Sequence, residues 1–189
     1  MRGSGFVSFA KRLLQAYSNF IGTPWGNHLA PSQRVVFCVY DPVEELKVRA
    51  AIGEFDLATK QAGHGWSLFD LTDTFADWLS QQPNSERYFA KPDFLSTLIR
   101  LYPDHLKEEF KKHLGEVKPD EQSVVALLGA GSLFGFMPVK EFVEAVAPLV
   151  KGRLVVFFPG TNENNNYRLL DAYDGWGYLA VPITAEREA

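Results

Sequence analysis

A glycine-rich stretch that follows a strand can cradle phosphate with its backbone N–H groups. Gly129-Ala130-Gly131-Ser132-Leu133-Phe134-Gly135 is such a stretch. A Walker A loop also needs a Gly-Lys pair followed by Ser or Thr, and no Gly-Lys pair occurs in the chain. The spacing also departs from G-x-G-x-x-G. The glycines have a second reading, a tight turn with positive φ. Ser132 lies outside any G-x-S-x-G elbow. The histidines, His28, His64, His105 and His113, are scattered, and His105 and His113 are too far apart for an i, i+4 ligand pair. The lone Cys38 sits in an apolar run and reads as a buried strand residue. On these grounds no catalytic residue, metal site or cofactor is expected.

Carboxylates offer a different chemistry. Asp41-Pro42 follows the first apolar run and Asp70 ends the second, where a Walker B acid would sit. Were the two to converge, they could hold magnesium for a nuclease or hydrolase. Glu44, Glu45 and Arg49 have helical spacing and read as a solvated face. Further on, Pro159-Gly160 leads into an Asn-rich loop. Ligands of open α/β sheets bind outside the carboxyl ends of the strands. Asp41, Gly129, Gly131, Ser132, Asn164 and Arg168 are therefore the candidate ligand crevice, Arg168 as an anion contact.

The elements that must carry these residues alternate between strand and helix. Phe6, Ala10, Leu13, Leu14, Tyr17 and Ile21 predict an amphipathic helix over 6–21, packed on the domain or docking a partner or membrane surface. Arg34–Tyr40 is apolar on both faces, as a central parallel strand is. Asp41, Pro42 and Glu44 form a helix start, with Leu46, Ala50 and Leu57 as the apolar face of a helix to about Lys60. Trp66–Leu71 is a second strand. A helix capped by Thr72 or Asp73 carries Phe75, Trp78 and Leu79. Residues 81–93 read as a loop, with helices near 93–101 and 104–114. Val124–Leu128 is a third strand, and Pro138 opens a helix bearing Phe142, Val146 and Leu149. Leu154–Phe158 is a fourth strand, stopped by Pro159-Gly160. Tyr167–Leu170 and Tyr178–Ile183 predict a C-terminal β-hairpin across Asp174-Gly175. The expected fold is one α/β domain over 1–189, a mainly parallel sheet flanked by helices. Its layout is P-loop-NTPase-like or Rossmann-like, without a phosphate-binding loop.

Bulk properties narrow the function. A chain of 189 residues with 46% hydrophobic content buries roughly 70% of its unfolded surface in a single core. The net charge of −4 argues against a general nucleic-acid binder. The first forty residues, however, hold four basic residues and no acid, so a basic patch and DNA contact there stay open. No run approaches the roughly 20 apolar residues of a membrane span. Neither a membrane nor a secretory signal is expected.

Three stretches also resemble the BrxB-domain family of bacteriophage exclusion (BREX) defence systems. They are Tyr40-Asp41-Pro42-Val43-Glu44-Glu45-Leu46-Lys47-Val48-Arg49, the block Leu128–Val139, and Val155–Gly160 followed by Asn164–Leu169. The resemblance implies a cytoplasmic bacterial or archaeal protein. It implies service beside a large ATPase, a DNA methyltransferase and an alkaline-phosphatase-like protein. It carries over no catalytic residue. The expectation is a non-catalytic interaction component of an anti-phage complex. The alternatives are a degenerate nucleotide- or anion-binding domain, or a carboxylate-based nuclease or hydrolase.

Overall fold

The protein is represented by a computed structural model that describes residues 8–26, 29–170, 172 and 175–185. Phe6, His28 and Asp174 lie outside the described residues. Ser8 caps α1 (Phe9–Ile21), and Ala10, Leu13, Tyr17 and Ile21 are buried along one stripe. β1 (Val35–Tyr40) is buried throughout. A single 3-10 turn, Pro42–Glu44, leads into α2 (Glu45–Ala50) and α3 (Ile52–Gln61). β2 (Gly65–Asp70) and α4 (Thr74–Ser80) follow. Residues 81–93 hold a helix, α5 (Ser85–Ala90), where the sequence predicts a loop. Then come α6 (Leu95–Leu98), α7 (Tyr102–Val117), β3 (Ser123–Leu128) and α8 (Val139–Val146). The chain closes with β4 (Arg153–Glu163), β5 (Asn166–Leu169), β6 (Trp176–Gly177) and β7 (Val181–Thr184).

Five strands form a parallel path in the order β2-β3-β4-β1-β7, as the alternating sequence predicts. Side chains on the central strands alternate between two cores. Phe37, Val125, Val156 and Phe158 face one layer, built on α4, α7 and α8. Val36, Cys38, Ala126 and Phe157 face the other, built on α1, α2 and α3. The connection from β1 to β2 runs one way across the sheet, and those from β2 to β3 and β3 to β4 run back. Helices on opposite faces for opposite directions keep every crossover of one hand.

The α1 stripe packs against α3 and the sheet. Its Tyr17 hydroxyl lies 2.6 Å from Thr59 Oγ1 in a buried pair, and its ring meets Phe55 at 5.1 Å. The apolar face of α1 is thus spent inside the domain and is not free to dock a membrane or partner. The helical face of α2–α3 also differs from expectation. Val48, Ala51, Phe55 and Thr59 point inward, and Phe55 packs edge-on to Phe157 at 4.9 Å. Leu46, Ala50 and Leu57, the predicted buried face, are exposed.

β4 does not stop at Pro159-Gly160. It bends there and runs on antiparallel to β5. A Cβ on Gly160 would overlap the Arg168 carbonyl, so only glycine lets the two strands approach this closely. Asn164 and Asn165 turn the hairpin with positive φ of 53° and 62°. The C-terminal hairpin is shorter than the sequence implies, with Tyr167 opposite Trp176. Val181–Thr184 instead joins the main sheet parallel to β1. The folded-back strands cover one face of β1: Tyr167, Trp176 and Tyr178 ring Phe37 at 4.6–5.9 Å.

Candidate functional site

The carboxyl ends of the strands are where the sequence places a ligand crevice. Asp41 ends β1, and its carboxylate accepts the Val43 N–H at 3.0 Å. That bond caps the turn into α2 and occupies the side chain locally. Asp41 also lines a depression of about 340 Å³ with Gly160, Thr161 and Thr184. Among the described residues, no Lys or Arg lines it.

Next to it, the glycine-rich segment is a closed turn. Gly129 and Gly135 have φ of 78° and 81°, the turn reading of these glycines. The N–H groups of Ser132, Phe134, Phe136 and Met137 donate to Gly129, Gly131, Leu133 and Leu133 carbonyls at 2.9–3.1 Å. Those four donors are consumed within the loop. Gly131 packs near Pro159 and Leu170, so the turn after β3 meets the bend within β4. Ser132 is half-buried and lines none of the depressions described here.

Asn164 does not join them, whereas Arg168 pairs with Thr161, which lines the Asp41 depression. Because β4 folds back, the Asn164 tip lies beside Ser32, in a depression with Tyr178 and Leu179. Ser32 precedes β1 and Asp41 follows it, a separation of roughly 20 Å along the strand. Arg168 sits exposed opposite Thr161. The six predicted residues therefore divide between the two ends of the sheet.

The paired-carboxylate reading fails on distance. Asp41 and Asp70 end strands three places apart in the sheet, about 14 Å at ordinary strand spacing. Asp70 is engaged elsewhere. Its carboxylate takes the Thr72 N–H at 2.9 Å and the Thr72 hydroxyl, and Arg49 Nη1 lies 3.7 Å away. Arg49 Nε donates to Glu45 at 2.7 Å, and the Tyr40 hydroxyl donates to the other Glu45 oxygen at 2.6 Å. Burial, followed by this bond to Glu45, pushes the Tyr40 phenol far above its ordinary range. Tyr40, Glu45, Arg49, Asp70 and Thr72 thus tie β1, α2 and β2 together. The i, i+4 spacing of Glu45 and Arg49, which by itself predicts a solvated face, carries no signal of the reach to Asp70. Among the described residues, no three His, Cys, Asp or Glu side chains gather for a metal ion.

Two surfaces remain unspent. The exposed side of α2–α3 presents Val43, Leu46 and Leu57 at 78%, 79% and 55% exposure. The salt bridges Glu44–Lys47 and Asp56–Lys60, at 2.9 and 2.8 Å, flank it. The second surface is polar. At the amino ends of β1, β3 and β4, a pocket of about 430 Å³ collects Arg34, Lys151 and Arg153 beside Trp25. The basic excess of the first forty residues was its one sequence signal, and it touched Arg34 alone.

No helix among the described residues is long and apolar enough to cross a membrane. Comparison with known proteins finds no matching family model, no matching curated protein and no matching solved structure.

Proposed function

We propose that this chain is a non-catalytic interaction component of a BREX-type phage-defence complex, working in the cytoplasm. In this reading its partner is the alkaline-phosphatase-like protein or the ATPase of that system. The observation that carries the docking role is the set of apolar residues Val43, on the turn before α2, and Leu46, Ala50 and Leu57, on α2–α3, exposed while the opposite stripe fills the core. Single exposed leucines are common on protein surfaces, but several exposed apolar residues on one side of a helical segment invite a partner. The set begins inside the first stretch that resembles the BrxB-domain family. Carboxyl-edge charges that pair internally support a binding role over catalysis.

Co-expression with the phosphatase-like protein and the ATPase, followed by affinity purification, tests this reading. The chain is expected to co-purify, and Leu46→Glu is expected to weaken binding by about 2 kcal/mol, roughly thirty-fold. Leu46 is exposed, so that variant should fold normally. Equal binding by wild type and Leu46→Glu removes this surface from the interface. Failure of the wild type with both partners present and folded removes the reading itself.

A further inference from the structure

The pocket at the amino ends of the strands gathers Arg34, Lys151 and Arg153, with Glu121 at its rim. Arg34 Nη1 donates to the Lys151 carbonyl at 2.6 Å. Arg153 is 7% exposed, and its Nη1 donates to the Gln33 carbonyl at 3.1 Å. Its guanidinium lies 5.3 Å from the Trp25 ring centre and 5.9 Å from that of Phe20. Burial and the nearby Arg34 both lower its affinity for its proton. Among the described residues, no carboxylate comes within 4.0 Å of Arg34, Lys151 or Arg153. Two further donors, Arg34 Nε and Trp25 Nε1, are buried without a partner.

A purely structural role covers part of this. Arg153 supports the Gln33 carbonyl and fills space beneath Trp25. That role leaves Arg34 Nε and Trp25 Nε1 unexplained. Gathering like charges in a partly buried pocket is costly, and an unpaired buried donor adds to the cost. An anion in the pocket offsets both. Guanidinium forks suit phosphate oxygens, which accept several donors at once. The volume of about 430 Å³ exceeds one phosphate and falls within the range of small-molecule sites. The acidic rim residue Glu121 and the net charge of −4 disfavour a nucleic-acid backbone.

We propose that this pocket binds a phosphate- or diphosphate-bearing small molecule, with Arg34, Lys151 and Arg153 supplying charge and Trp25 Nε1 donating a further hydrogen bond. The site lies at the end of the sheet opposite Asp41 and Gly129. It is independent of the docking role.

The test is an NMR titration of the ¹⁵N-labelled full chain with inorganic phosphate, pyrophosphate and a single-stranded oligonucleotide, at fixed ionic strength. Trp25→Phe identifies the Trp25 indole signal. Pyrophosphate is expected to move that indole signal saturably and leave the other indoles in place. The melting temperature is expected to rise by about 5 °C at saturating ligand. Arg34→Gln and Lys151→Gln should each weaken binding by at least roughly ten-fold without lowering the melting temperature of the free protein. Lys151 is exposed, so its variant separates lost binding from lost folding. An unmoved Trp25 signal at millimolar pyrophosphate overturns the proposal. So does unchanged affinity in both variants, or a response to the oligonucleotide alone.

Discussion

At the carboxyl ends of the strands, Arg49 lies between Glu45 and Asp70, and four N–H groups of the loop after β3 close on carbonyls of that loop. At the amino ends, Arg34, Lys151 and Arg153 share a pocket with no carboxylate within ion-pair reach among the described residues, and Arg34 Nε and Trp25 Nε1 donate to nothing. One sheet thus carries a self-satisfied end and an unsatisfied end. The rule that ligands sit at carboxyl ends describes the average doubly wound fold. Here the polar accounting of individual atoms points the other way. An unsatisfied buried donor is costly, and the proposed phosphate would give these two donors an acceptor.

Substitutions at the two ends sharpen this contrast. The largest effect belongs to Gly129→Ala. Gly129 has a φ of 78°, and its added Cβ would stand 2.9 Å from the Thr72 backbone nitrogen and 3.1 Å from Arg49 Nη2. A loss of about 2–3 kcal/mol in urea unfolding is expected from strain and contact together. Next comes Arg49→Met, which leaves Glu45 and Asp70 without their cation. Asp70 is 47% exposed at its side chain, so screening limits the loss to about 1 kcal/mol. Arg34→Gln is expected to change the stability of the free protein by no more than about 0.5 kcal/mol, with the sign favouring the variant because like-charge repulsion is relieved. If Arg34→Gln costs as much as Arg49→Met, the two ends are alike and the contrast is broken.

The smallest effect is a pH dependence at the amino end. Asp120 accepts from the Ser123 hydroxyl at 2.6 Å and from the Gln122 N–H at 2.9 Å. These bonds, the Ser123 one first, hold its carboxyl below the ordinary 3.8. A carboxyl depressed on folding stabilises the protein above its unfolded value, and the benefit is lost as pH falls through the folded value. Acid unfolding of Asp120→Asn is therefore expected to lack the part of the pH dependence that lies below 3.8. Identical acid profiles for both proteins would show that this turn contributes nothing.

The parallel sheet was legible because β1, β3 and β4 are unbroken apolar runs, which only a doubly covered strand requires. The α2–α3 face was misread for a definable reason. The segment carries two apolar stripes at helical spacing, Leu46-Ala50-Leu57 and Val48-Ala51-Phe55. Only the arrival of Phe157 and Tyr17 decides which one is buried. The bend at Gly160 was read as a strand end because Pro-Gly ordinarily terminates pairing. That single difference moved Asn164 to the far end of the sheet. The cationic pocket was hidden for another reason. Arg34 and Arg153 each look like an ordinary charged residue at a strand start, and they become neighbours only through the β1–β4 register.

That register also sets a timetable. β1 is flanked by β4 and β7, with Val35 beside Leu154 and Val36 beside Val181. Both partners emerge from the ribosome long after β1 itself, on the order of ten seconds later at ordinary synthesis rates. Throughout that interval the buried apolar segment VVFCVY has no mate on either side. Contacts this distant in sequence are slow to form. The nascent protein is accordingly expected to lean on chaperones, and its yield should depend on how fast the last strand is delivered.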